Sequence, residues 1–243
     1  MTPILPGTLA PMCTVVIRVP EPGRGDIQLL AVRDEDPQRP WRPLGTWWPN
    51  QDITGIQDAQ AGGAWLAHTD RRLAVLLNRA GGADLPDPTS RGGLVLGSVM
   101  GAPLPEPLTT LGFNFVEVWG EGARVTSWEG GAPRVSELEP GTHMIAHDDL
   151  NATATPRIAA WRDLFARTPT RGGRWWQAWV EALGETARIV APTDDRAIIR
   201  DNRPHGFPTL SLLVCAASVG PSGVQARMAT LKVPGRWNRL TLQ

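Results

Sequence analysis

The sequence predicts an α+β protein built mainly of antiparallel sheets with helices stacked on them. Three observations carry this. Short apolar runs separated by turn signals fill the chain up to about residue 146. Two segments with helical spacing follow, and strands then resume to the C-terminus. No strand–helix–strand alternation occurs that would build a parallel sheet.

Each element has a local reason. Thr14-Val15-Val16-Ile17-Arg18-Val19 reads as a strand closed by Pro20-Glu21-Pro22-Gly23, with 27–32 as its hairpin partner. The stretch 34–60, carrying Pro37, Pro40, Pro43 and Pro49 and no period, reads as a long irregular loop. Segments 63–68 and 73–77 form a hairpin around Asp70-Arg71, and 81–93 reads as a second Gly/Pro-rich loop. Strands are expected at 113–119, 123–129, 134–138 and 142–146, separated by Gly120-Glu121-Gly122 and Glu129-Gly130-Gly131. Thr155-Pro156 caps a helix reaching about residue 166, with Ile158, Trp161, Leu164 and Phe165 on one face. A second helix, 174–190, sets Trp175, Trp176, Trp179, Leu183, Ala187 and Val190 at helical spacing, a stripe that reads as core rather than as a stacking platform. Strands at 209–217, 224–231 and 237–242 close the chain. Residues 13–243 thus read as a single domain, and 1–12 as a leader without structure of its own or an over-extended start.

Composition narrows the function. Of 243 residues 42% are apolar, enough for a substantial core. Lys+Arg and Asp+Glu both number 24, so no net field favours nucleic acid or an anionic membrane. Lys232 is the only lysine, and this arginine usage beside so much Ala, Gly and Pro points to GC-rich bacterial coding. The leader lacks the basic and apolar regions of a secretory signal, and no apolar run reaches membrane-spanning length. A soluble, cytoplasmic protein is expected, with Cys13 and Cys215 reduced.

The chemistry centres on Met12-Cys13. If Met12 is the true start, its removal exposes an N-terminal cysteine, a thiol nucleophile carrying its own base in the α-amine. Taken alone, Cys13 reads rather as a small apolar residue opening a buried strand. Arg33-Asp34-Glu35-Asp36 ends the second strand, where a guanidinium would lower the thiol's pKa and a carboxylate would hold the α-amine, or where the charges form a solvated turn. Asn78, at the end of the 73–77 strand, offers an amide donor to an oxyanion, or caps a hairpin. His143 and His147 are four apart but begin on a strand, without the Glu of a zinc helix or a third ligand, so no metal is assigned. No phosphate loop, dinucleotide fingerprint, Gly-x-Ser-x-Gly elbow or haem-attachment motif occurs.

Together these segments resemble the transport and Golgi organisation family, also called the NRDE family. The resemblance runs through Met12-Cys13, Val32-Arg33-Asp34-Glu35 followed by Arg39-Pro40, Gly55 to Asp58, and Gly62-Gly63-Ala64-Trp65-Leu66. It continues through Asn78, Ser90-Arg91-Gly92, Gly112-Phe113-Asn114 and Pro140-Gly141-Thr142-His143-Met144. It covers the chain from Met12 onward and loosens after Asp149. It implies a four-layer αββα sandwich of the N-terminal-nucleophile hydrolase type and kinship with enzymes that cleave non-peptide amides through an N-terminal cysteine. It implies Cys13 as nucleophile, Arg33 and Asp34 to orient and polarise it, Asn78 at the oxyanion, and His147 as a hydrogen-bond donor or acid–base group. Glu35, Trp65 and Asp148 are assigned to a small-molecule substrate. No resident cofactor is implied; the alternative is a non-catalytic binding or trafficking protein for haem or acyl-CoA. The chain departs from the family pattern at Val32, where the motif has asparagine, at His147, where many members have asparagine, and at Pro208, near which some relatives carry arginine.

Overall fold

The computed structural model describes residues 13–243; the leader expected over 1–12 lies outside the described residues. The chain folds as β1 (Thr14–Val19), β2 (Ile27–Glu35), β3 (Trp41–Gly45), β4 (Thr54–Asp58), β5 (Ala64–His68), β6 (Arg72–Gly82) and α1 (Gly92–Val99). Then come β7 (Leu111–Trp119), β8 (Gly122–Trp128), β9 (Arg134–Glu137), β10 (Gly141–Ile145), α2 (Pro156–Arg167), α3 (Trp176–Ile189), β11 (Leu210–Gly220) and β12 (Gly223–Thr230).

Two antiparallel sheets result. The larger is a meander in sequence order, β3 through β9, and the smaller runs β10-β1-β2-β11-β12. Side-chain alternation then builds three cores. Val15, Ile17, Leu29, Ala31, Leu213 and Cys215 of the small sheet meet Leu66, Val75, Leu77, Val116 and Val125 of the large one. On its other face the small sheet buries Val16, Leu30, Val32 and Val214 against Ile158, Trp161, Phe165, Trp179 and Leu183 of α2 and α3. The large sheet packs Ala74, Leu76, Phe113 and Phe115 under Leu94, Val95 and Val99 of α1. Layers therefore stack α1, large sheet, small sheet, α2 with α3, the expected αββα order. Each fully buried Val, Leu or Ile in these layers contributes about 1.5–3 kcal/mol.

The expected strand at 14–19 and the helices over 155–166 and 174–190 form almost as read. Trp175 and Trp179 are core residues, as the helical spacing implies. Three expectations need correction. The stretch 34–60 is not wholly irregular: β3 and β4 lie within it. Pro43 is tolerated because β3 is the edge of its sheet. Segment 237–242 is not a strand; near it, Met228 and Gln243 exchange backbone hydrogen bonds. The helix α1 was not foreseen. Its eight residues hold three glycines, and Gly92 approaches β5 so closely that a Cβ on Gly63 would lie 2.5 Å from the Gly92 carbonyl carbon. Glycine here serves contact at the expense of helix propensity.

Candidate active site around Cys13

Cys13 immediately precedes β1 and belongs to the core between the sheets. Its Sγ accepts a hydrogen bond from the Asp34 N–H at 3.4 Å and lies 3.7 Å from the Asp34 carbonyl oxygen. Burial, then the Asp34 charge, push the thiol up to about 12, against the pull of the Asp34 peptide and the Arg33 guanidinium. With Met12 attached, Cys13 is a protonated thiol at neutral pH and a poor nucleophile.

Strand alternation divides the charged end of β2. Leu29 and Ala31 face the large sheet, and Arg33 follows them, opposite the Cys13 end of β1. Its guanidinium carbon lies 5.9 Å from the centre of the Trp65 ring, and its Nη2 is 3.2 Å from Glu35 Oε2. Arg33 Nη1 and Trp65 Nε1 are buried and have no hydrogen-bond partner among the described residues. Arg91 adds a second cation here. Its Nη1 donates to the Gly112 carbonyl at 2.8 Å. Burial lowers its pKa, while the nearby Cys13 and Glu35 oppose that shift.

Asp34 points the other way, with Leu30 and Val32, toward the helices. Ser211 Oγ donates to its Oδ1 at 2.5 Å. Burial raises the carboxyl to about 6, although the Arg157 charge, the Ser211 hydroxyl and the Arg200 charge all favour the anion. Arg157 Nη1 donates to Thr14 Oγ1 at 2.9 Å, and burial beside Arg200 brings Arg157 down to about 10. Fully buried Arg200 spends its donors on Asn202 Oδ1 at 2.6 Å, the Asp194 carbonyl at 3.0 Å and Asp195 Oδ1 at 3.1 Å. This face is an ionic knot, in which Asp34 Oδ2 is buried with no hydrogen-bond partner among the described residues.

The third side is the loop after β10. Ile145 pairs with Val15, so His147, two residues on, reaches the Cys13 end of β1. His147 Nε2 lies 3.3 Å from Asp148 Oδ2, and its Nδ1 is buried without a hydrogen-bond partner among the described residues. Burial lowers its pKa against the attraction of Asp148, so the ring is neutral at pH 7. Asp148 Oδ2 also accepts from Thr155 Oγ1 at 2.6 Å, tying the loop to the start of α2. From the large sheet, Asn114 Nδ2 donates to the Ala146 and Asp148 carbonyls at 2.8 and 2.7 Å, fixing the loop from across the layer.

Of the residues assigned from sequence, Cys13, Arg33, the Asp34 backbone, Glu35 and Trp65 come together, and His147 with Asp148 forms the adjoining loop. Asn78 does not join them. Alternation with Ala74 and Leu76 assigns it to the α1 face of β6, and its side chain makes no hydrogen bond among the described residues. His143 is held by the Glu139 carbonyl and Asn151. Arg91, Asn114, Arg157, Arg200 and Ser211 carry much of the polar architecture. Only Arg91 and Asn114 lay in segments that drew notice in the sequence, and neither had a spacing that pointed to chemistry. No helix among the described residues is long and apolar enough to cross a membrane.

A family model described as transport and Golgi organisation 2 matches residues 12–168, which carry all of the site except Arg200, Asn202 and Ser211. No curated protein matches the chain.

Proposed function

The chain belongs to the transport and Golgi organisation 2 family, and we propose that, with Cys13 as its N-terminal residue, it is a cysteine N-terminal-nucleophile amidohydrolase acting on a non-peptide amide of a small molecule. The observation that favours this is the pair of buried donors on the Arg33 side of Cys13. Arg33 Nη1 and Trp65 Nε1 lack acceptors among the described residues, and buried donors are rarely left so unless a ligand supplies the acceptor.

Cleavage of the Met12–Cys13 peptide bond frees the α-amine. Sγ then attacks the amide carbonyl carbon while its proton passes to that amine. The oxyanion is received by the Arg33 and Trp65 N–H groups. Collapse breaks the carbon–nitrogen bond, and the α-ammonium proton leaves with the amine product. Water, losing a proton to the α-amine, attacks the thioester, releasing the acid and restoring the thiol. Glu35, Asp148 and neutral His147 line the substrate side in this reading, and Asn78 plays no part.

A second reading, a non-catalytic binder of haem or acyl-CoA, draws on the thiol itself, which burial pushes up to about 12. One comparison separates the two. The full chain and a chain beginning at Cys13 are assayed on a panel of small N-acyl substrates, with spectral titration of haem and acyl-CoA alongside. The enzyme reading expects hydrolysis by the shorter chain alone. Ligand binding by both chains with no turnover by either would replace it with the second reading.

A further inference from the structure

A cavity of about 730 Å³ lies on the far side of the small sheet from the gap that holds Cys13, between α3, β12 and the C-terminal segment. Its size falls in the range of small-molecule sites. Four arginines line it, Arg174, Arg188, Arg227 and Arg239, against one carboxylate, Glu181. All five side chains are exposed, and among the described residues none of them makes a hydrogen bond or ion pair. Other arginines, Arg79, Arg134, Arg196 and Arg203 among them, sit within 3.1 Å of a carboxylate.

The walls between the charges are aromatic and aliphatic. Arg227 stacks over Trp176 with its guanidinium carbon 4.9 Å from the ring centre. Trp237 lies flat against α3 at Gly184, where a Cβ would come within 2.7 Å of the indole. A glycine inside a helix costs about 1 kcal/mol relative to alanine, and here it lets the indole form a wall of the cavity.

We propose that this cavity binds an organic phosphate bearing a flat ring, of the nucleotide class. Three uncompensated positive charges in one groove call for a polyanion, and guanidinium groups pair best with phosphate oxygens. Tryptophan faces beside them suit a stacked ring rather than a bare ion. The site is independent of Cys13 and of any amide hydrolysis.

The test is calorimetric titration of the full chain with ADP, pyrophosphate and adenosine as probes. ADP is expected to bind most tightly, with affinity that falls as salt rises. The double substitution Arg188→Glu and Arg239→Glu, both on exposed side chains, is expected to weaken ADP by roughly tenfold or more while leaving the thermal midpoint in place. Trp237→Ala should weaken ADP and not pyrophosphate. No ADP binding, ADP binding unchanged in the double variant, or adenosine or pyrophosphate binding as tightly as ADP would each overturn the proposal.

Discussion

Arg33 and Asp34 are neighbours in sequence, both buried and both charged, yet the two faces of β2 treat them oppositely. On the helix side Asp34 enters a knot in which Ser211, Arg157, Arg200 and Asn202 hydrogen-bond or balance charge within the protein. On the inter-sheet side Arg33 shares one nitrogen with Glu35 and keeps another without an acceptor, as Trp65 does. A pair that sequence reads as one charged unit is split by strand alternation into a half that keeps one acceptor, Asp34 Oδ2, in reserve among cations and a half that keeps donors in reserve beside Cys13. The lesson is that burial of charge alone does not mark a binding site; unspent donors beside a nucleophile are the more specific sign.

The sharpest way to break this contrast is to remove one residue from each side. In a chain beginning at Cys13, Cys13→Ala should lower amide hydrolysis by about a thousandfold or more and leave the unfolding midpoint nearly unchanged. Asp34→Ala should do the reverse first. It strips the carboxylate from two buried arginines, and denaturant titration should show a loss of about 3–5 kcal/mol. If Asp34→Ala folds as well as the parent, the knot is not structural.

A pH series tests the same half more gently. The folded Asp34 carboxyl sits at about 6 rather than its ordinary 3.8. The native state therefore holds the proton more tightly than the unfolded chain. This contribution to stability is full below 3.8 and is lost as pH rises through about 6, a decline of about 3 kcal/mol from this group. Asp34→Asn should flatten that segment of the stability profile; an unchanged slope would assign it to other groups.

Smaller effects sharpen the other half. Asn114→Ala leaves the Ala146 and Asp148 carbonyls without their donor, and should cost about 1–3 kcal/mol by thermal or chemical unfolding. Arg33→Met keeps the volume, removes the Nη1 donor that no described residue accepts, and gives up the Nη2 contact with Glu35. It should change stability little and lower kcat for the amide. Asn78→Ala, on the α1 face, should stay within about 0.5 kcal/mol and leave turnover untouched. Loss of activity there would restore Asn78 to the oxyanion.

Much of the fold was legible because its signals are local. The β1 run alternates residues that each find a core, and Trp175, Trp179 and Leu183 repeat with the helix period. What stayed hidden has physical causes. The prolines that made 34–60 look irregular sit in or beside an edge strand, where a missing N–H costs nothing. The glycines that hid α1 are there for close approach to β5. Segment 237–242 has an apolar pattern because it covers α3, not because it pairs in a sheet. In the site, Cys13, Arg33 and Trp65 stood in recognisable segments. Ser211 and Arg200 did not, because their roles arise from contacts 177 residues from Asp34 in one case and from a backbone turn around Asp194 in the other. Nor could sequence say which way Asp34 and Asn78 face until the register of β2 and β6 was known.

The central claim is that Cys13 becomes a nucleophile once its amine is free. It is tested most directly by quenching a reaction of the chain beginning at Cys13 with an N-acyl substrate and mapping the protein by mass spectrometry. The account predicts an acyl group on the Cys13 peptide that disappears with time, and none in the full chain. An unmodified Cys13 while substrate is being hydrolysed would contradict it.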